Sequence, residues 1–212
     1  MAGSALIAGA VYVVVALVGP SMRRRRITGD WGFRNGAGLP GGPAVLALVG
    51  ALAVGPVLDL AGVLPRLWRG PAAAGVGLAL ASLGVGGVVW AQRAMGASWR
   101  VGVDPGEDTE LVVAGPFRVV RNPIYTSMVI FAGGITALAA NAASIASLVA
   151  TAAILDWHVR RIEEPNLARH HPRAYAKYGR MVGRFVPGIG YLDSQPGGDQ
   201  AGSRPKIPSS LS

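Results

Sequence analysis

Apolar runs about as long as a bilayer is thick alternate with short polar segments along this chain. The runs occupy residues 4–20, 43–64, 72–92 and 123–157, and crossing a hydrocarbon core of about 30 Å takes roughly 20 helical residues. The last run is too long for one upright crossing, so Asn141 divides it into a hairpin of 124–140 and 142–162. Gly133 and Gly134 allow these helices a close approach, as small residues do between membrane helices. The pattern predicts an all-α, multi-pass transmembrane helical bundle of about five helices.

The polar segments divide the chain further. Residues 21–42 are rich in Arg and Gly and predict a loop, and 65–71 (PRLWRGP) predicts a short turn on the opposite side. Residues 96–122 form the longest polar stretch between spans, where Pro105 and Pro116 break any regular helix. Such a loop suits a functional role. After the last span, Pro165 is expected to interrupt the helix and Pro172 to start another. Ala174, Tyr175, Tyr178, Met181, Val182 and Phe185 then recur at spacings of three and four, with Arg173, Lys177, Arg180 and Arg184 between them. That spacing predicts an amphipathic helix, either lying on an anionic leaflet or packed on the bundle with a solvated basic face. Residues 1–95 thus hold three spans and the 21–42 loop, residues 96–190 hold the second loop, the hairpin and the amphipathic helix, and 191–212 predict a disordered tail.

Composition supports this picture. Hydrophobic residues make up 51% of the chain and charged ones 15%, against about 25% charged in soluble domains. Having no cysteine excludes disulfides, thiolate metal sites and cysteine nucleophiles, and three histidines argue against a metal centre. The net charge of +9 is explained by topology: of 20 Lys and Arg, all but Arg66 and Arg69 fall on one side of the predicted bundle. The positive-inside rule makes that side cytoplasmic, with the N-terminus outside and the C-terminus inside a plasma membrane. Nucleic-acid binding is not needed to account for the charge. The first apolar run has no basic residue before it and carries Arg23, Arg24, Arg25 and Arg26 just after it, which is a stop-transfer pattern rather than a cleaved signal.

Candidate chemistry gathers at the cytoplasmic ends of the hairpin. Arg160 stands four residues after Asp156, and Glu163 and Glu164 three and four residues after Arg160, which places them on neighbouring turns of one helix face. Ionisable groups near hydrocarbon face a bundle interior, a partner or a water-filled cavity, or they snorkel to the interface. His158 falls on a different side of a regular helix and reads as a packing residue. Asp59, near the outer end of the second span, reads as snorkelling, and Trp90 and Trp157 as interfacial anchors. In GPFRVVRNPIY (115–125), Asn122 is expected to cap the fourth span and Pro123 to occupy its first turn, leaving free N–H groups for an anion.

LVVAGPFRVVRNPIYTS (111–127), the Glu163-Glu164-x-x-Leu167 step, and Tyr175-x-x-Tyr178 followed by Arg184-Phe185-Val186-Pro187 together resemble the isoprenylcysteine carboxyl methyltransferase and phospholipid methyltransferase superfamily. The resemblance covers roughly residues 80–190. It implies a bacterial-type membrane methyltransferase that takes S-adenosylmethionine as cofactor and methylates a lipid or lipophilic acceptor, a carboxylate or an amine. It implies a cofactor site between the loop before the hairpin and the segment after the last span. Arg121, Asn122, Pro123 and Tyr125 match the family's Arg-His-Pro-x-Tyr motif, with Asn122 in place of histidine. Asn122 cannot act as a base. Phe117 stands where Tyr is usual and Ser127 where Gly is common. The resemblance assigns Asn122, Tyr125 and Arg121 to catalysis. It assigns Val113, Gly115, Pro116, Phe117, Val120, Pro123, Glu163, Glu164, Tyr175, Tyr178 and Arg184 to the cofactor, with Arg184 or Arg121 meeting its carboxylate. A sterol-reductase-like NADPH enzyme and a non-catalytic scaffold or small transporter are the alternative readings.

Overall fold

A computed structural model describes residues 1–29, 31, 41–96 and 111–192 of the chain. The predicted 191–212 tail falls almost wholly outside them, as do parts of both predicted loops. Among the described residues the fold is all helical, with no strand. Helices α1 (Ala2–Val13) and α2 (Gly19–Thr28) join through a π-helical segment, Val14–Val18. There follow α3 (Gly41–Leu60), α4 (Pro71–Met95), α5 (Pro123–Ala139), α6 (Ala142–His158), α7 (Glu164–His170) and α8 (Pro172–Met181). A second π-helical segment, Val159–Glu163, joins α6 to α7.

Among the described residues, three helices are long and apolar enough to cross a membrane: Ala2–Arg26, Pro71–Met95 and Ala142–His170. Two shorter apolar helices, Leu48–Leu60 and Pro123–Ala139, complete the multi-pass bundle. The hairpin break falls at Asn141 as the sequence implied. Helix α5 ends with Ala140 in the left-handed region (φ 52°), and the Asn141 side chain then accepts from the Ser144 amide while Ser144 Oγ accepts from the Asn141 amide. This reciprocal cap satisfies two of the N–H groups that a helix start leaves open. Asn141 also donates to the Gly55 carbonyl at 2.8 Å, tying the hairpin tip to α3.

Close packing of α4 on α5 forms the centre of the bundle, with Phe131, Ile135, Leu138, Val88 and Ala81 buried. Gly134 is what allows it, because a Cβ there would lie 2.5 Å from the Ala81 nitrogen and 2.7 Å from the Gly77 carbonyl oxygen. Gly133 faces open space and Gly134 packs on α4 rather than on its hairpin partner α6, so the close approach expected within the hairpin is made instead between α4 and α5. Helix α1 joins this core through Tyr12, stacked on Phe131 at 4.3 Å between centroids. Gln92 on α4 donates to the Ala16 carbonyl, which lies within the first π-helical segment.

Several sequence expectations are corrected. The arginines at 23–26 are not in a loop but extend the first helix to Thr28, where Gly29 (φ 75°) ends it. Pro165 does not interrupt the last helix. Proline cannot donate to the preceding turn, and the π-helical segment just before it lets the helix run on to His170. Asp59 does not merely snorkel, because it holds Arg66 through two 2.6 Å bonds across the α3–α4 turn.

Candidate functional site

The segment before α5 and the segment after α6 close on each other. Pro116 starts a tight 3-10 turn, Gly115–Arg118, and the chain then runs beside residues 182–186 through a parallel bridge between Val120 and Gly183. The Arg121 amide donates to the Gly183 carbonyl at 2.8 Å and the Asn122 amide to that of Arg184 at 3.1 Å. Thr126 Oγ1 donates to the Phe185 carbonyl and Tyr178 Oη to that of Phe117, at 2.9 and 2.6 Å.

Glu164 lies at the centre. Its Oε1 accepts from Arg121 Nη2 at 2.8 Å and from Arg184 Nε at 2.9 Å, and its Oε2 accepts from Arg184 Nη2 at 2.9 Å. The two-pronged Arg184 pairing is the strong form of this interaction. The Arg121 side chain is 1% exposed, and its remaining bonds go to the carbonyls of Gly179, Val182 and Gly190. One buried guanidinium therefore closes three chain segments around a single carboxylate. The Glu164 hydrogen bond holds the Arg184 guanidinium above its ordinary range, against the opposing effect of burial. Burial pushes the Tyr178 hydroxyl up to about 12. Burial, then the Glu164 charge, pushes Tyr175 up as well.

A second polar group adjoins this clamp. Tyr125 Oη donates to Glu163, and His158 Nε2 lies 3.6 Å from Glu163 Oε1 with its ring edge-on to Tyr125. The sequence reading placed His158 on another side, a correction that follows from the π-helical Val159–Glu163 segment. Residues five apart diverge on an α-helix but nearly align on a wider π turn. For the same reason the expected four-residue ladder splits. Asp156 and Arg160 pair alone at 2.8 Å, exposed, while Glu163 and Glu164 turn to different partners.

The structure thus joins Arg121, Glu164, Arg184, Tyr175 and Tyr178 in one cluster and Tyr125 with Glu163 beside it. Asn122 begins α5 but does not cap it with its side chain, whose amide donates instead to the Arg184 carbonyl at 3.2 Å. Pro123 occupies the first turn as expected. Pro116 and Val120 are buried under the loop, and Phe117 contributes its carbonyl. Val113 and Gly115 are exposed, and Gly115 lies against Ala94 and Trp90 at the end of α4 rather than against the acidic pair. Two buried atoms remain without a hydrogen-bond partner in this region of the sequence, Arg121 Nε and Asn166 Oδ1. Asn166 stands three residues after Glu163 on the same helical run, and nothing in the sequence singled it out. A separate apolar cleft of about 150 Å³ lies between α1, α3 and α5, lined by Leu6, Leu52, Pro56 and Phe131 among others. It holds no charged group.

A membrane helical bundle whose loop and post-hairpin segment close around Glu164, with Glu163 beside it, defines an integral membrane protein with a charged site at a bundle end. Residues 73–174 match the family model described as phospholipid methyltransferase. That segment, just under half of the chain, is similar to this family. No curated protein matches the chain. The match spans α4 to α7 with Arg121, Glu163 and Glu164, whereas Tyr175, Tyr178 and Arg184 lie beyond it and reach the site through the fold.

Proposed function

We propose that this chain is a membrane methyltransferase that uses S-adenosylmethionine to methylate a lipophilic or lipid-attached acceptor, a carboxylate or an amine. The observation that supports it best is the convergence of the 115–125 loop with Glu163 and Glu164, all inside the segment that matches the phospholipid methyltransferase model, and with Arg184 from beyond it. The donor set fits a zwitterionic nucleoside cofactor. Arg184 Nη1, which makes no hydrogen bond among the described residues, suits a carboxylate. Glu163 and the unpartnered Asn166 Oδ1 suit amino or hydroxyl donors. Bound there, the cofactor supplies an electrophilic methyl group on a sulfonium.

The chain's own task is alignment, exclusion of water and placement of charge, since direct displacement needs no covalent intermediate. Arg121 is committed to carbonyls and Glu164, so its role is to hold the loop against residues 179–190. Asn122 and Tyr125, at the start of α5, border the methyl path. In this reading the site lies at the cytoplasmic face of the membrane with the N-terminus outside, which the asymmetry of Lys and Arg supports. Membranes containing the protein, incubated with methyl-labelled S-adenosylmethionine and extracted for lipid, test the reading. Label in a lipid fraction that is absent from membranes lacking the protein is the expected result. Label confined to water-soluble material, across lipid compositions, would contradict it.

A further inference from the structure

Helix α8 has two faces of different character. Tyr175, Tyr178 and Gly179 are buried against the rest of the protein. Arg173, Lys177 and Arg180, at spacings of four and three, share the opposite face with Met181 and are exposed. Among the described residues none of these three cations has an acidic partner. The chain then folds back on α8, with a bridge between Val186 and Ile189 forming the turn and the Leu192 amide donating to the Gly179 carbonyl at 2.9 Å. This arrangement leaves Met181 61%, Val186 50%, Ile189 65% and Tyr191 48% exposed. Single exposed apolar side chains are ordinary, but four of them beside a basic helix face have the composition of a membrane-surface element.

Two contacts fix the level of this surface. Thr126, in the first turn of α5, donates to the Phe185 carbonyl at 2.9 Å, so the residue before Val186 is level with the entry to an apolar helix of the bundle. Tyr178 donates to the carbonyl of Phe117, and Gly115, two residues earlier, lies beside Trp90, an exposed indole near the end of the α4 span. Exposed indoles at span ends sit among lipid headgroups.

We propose that the exposed face of α8 and the 186–191 turn dock on the anionic surface of the leaflet at this end of the bundle. Met181, Val186, Ile189 and Tyr191 enter the headgroup region, and Arg173, Lys177 and Arg180 meet lipid phosphates. The charges are complementary, and the contact continues the lipid-facing surface of the spans. A second copy of the chain fits worse, because a two-fold contact would bring the same cationic patch of each copy together. Arg184 and the Phe185 carbonyl belong to the docked segment, so the leaflet holds in place the part of the chain that closes on Glu164. The inference does not depend on which reaction the site performs.

The chain has no cysteine, so single nitroxide labels can be placed on Ile189→Cys and Met181→Cys of the full protein in lipid nanodiscs. Power-saturation spectroscopy then compares relaxation by oxygen, which partitions into the bilayer, with relaxation by a neutral nickel chelate, which stays in water. The expected result is less chelate access in bilayers containing phosphatidylglycerol than in phosphatidylcholine alone, with oxygen access retained. High salt should remove that difference without any change to the protein. Neutralising Arg173, Lys177 and Arg180 to Gln should lower the ratio of docked to free states about fivefold for each residue changed, read as rising chelate access. Equal chelate access in the two bilayers, or a difference that survives both salt and neutralisation, would overturn the proposal. Low access to oxygen and chelate alike would show that protein covers the patch, a second copy included, and would overturn it too.

Discussion

Removing the Glu164 carboxylate leaves two guanidiniums facing each other with no anion between them. Arg121 cannot escape, because its side chain is 1% exposed and its other bonds go to main-chain carbonyls of residues 179–190. Breaking a buried pair from one side typically costs about 3–5 kcal/mol, and Glu164→Ala is expected to fall in that range. Arg121→Ala removes charge as well as bonds and leaves Glu164 its two-pronged partner Arg184, so its cost is set by lost charged hydrogen bonds, about 2–4 kcal/mol. The double variant should cost less than the two singles together by about 0.5–3 kcal/mol, because the first substitution already dissolves the contact that the second would remove. Reversible unfolding in mixed detergent and dodecyl sulfate micelles measures all three. Asp156→Ala, which removes an exposed pair, should cost under about 1 kcal/mol in the same assay. A Glu164→Ala cost below about 1 kcal/mol, or additivity of the pair within about 0.5 kcal/mol, would refute the clamp.

Three other outcomes follow from the geometry. Gly134→Ala should destabilise by about 1–3 kcal/mol in thermal unfolding, since its Cβ would press on α4 backbone, whereas Gly133→Ala should be nearly neutral; equal effects would contradict the packing. Asn141→Ala removes both a helix cap and the donor to the Gly55 carbonyl, and should cost about 1–3 kcal/mol in the same measurement. Tyr178 is raised from an ordinary 10.0 to about 12, so its contribution is complete below pH 10 and declines as pH rises toward 12. Unfolding measured across that window should show stability falling with pH, and Tyr178→Phe should flatten the fall; a steeper fall in the variant would contradict the sign.

The spans were legible because they rest on local, repeated information: apolar length, the Asn141 cap and Pro123 at a helix start. The extension of the first helix through four arginines was not, because Gly19 and Pro20 close the apolar run and read as a stop, yet the helix continues past them to Thr28. The site was legible in its members more than in its pairings. Local sequence does not reveal that Arg121, Glu164 and Arg184, separated by 43 and 20 residues, meet at one point. The place of His158 is hidden for a narrower reason. A period of 3.6 does not hold across Val159–Glu163, where the helix is π-wound, and this offset brings His158 to Glu163. The unpartnered Asn166 Oδ1 becomes visible only when the hydrogen bonds of the folded chain are traced.

Calorimetric titration of S-adenosylhomocysteine into the purified full chain in detergent bears most directly on the proposed site. One saturable event per chain, weakened at least about tenfold by Asn166→Ala or Arg184→Ala (about 1.4 kcal/mol), is the predicted result. No binding by a monodisperse, folded wild type, or binding untouched by both substitutions, would contradict a cofactor site between the loop before α5 and the glutamates after α6.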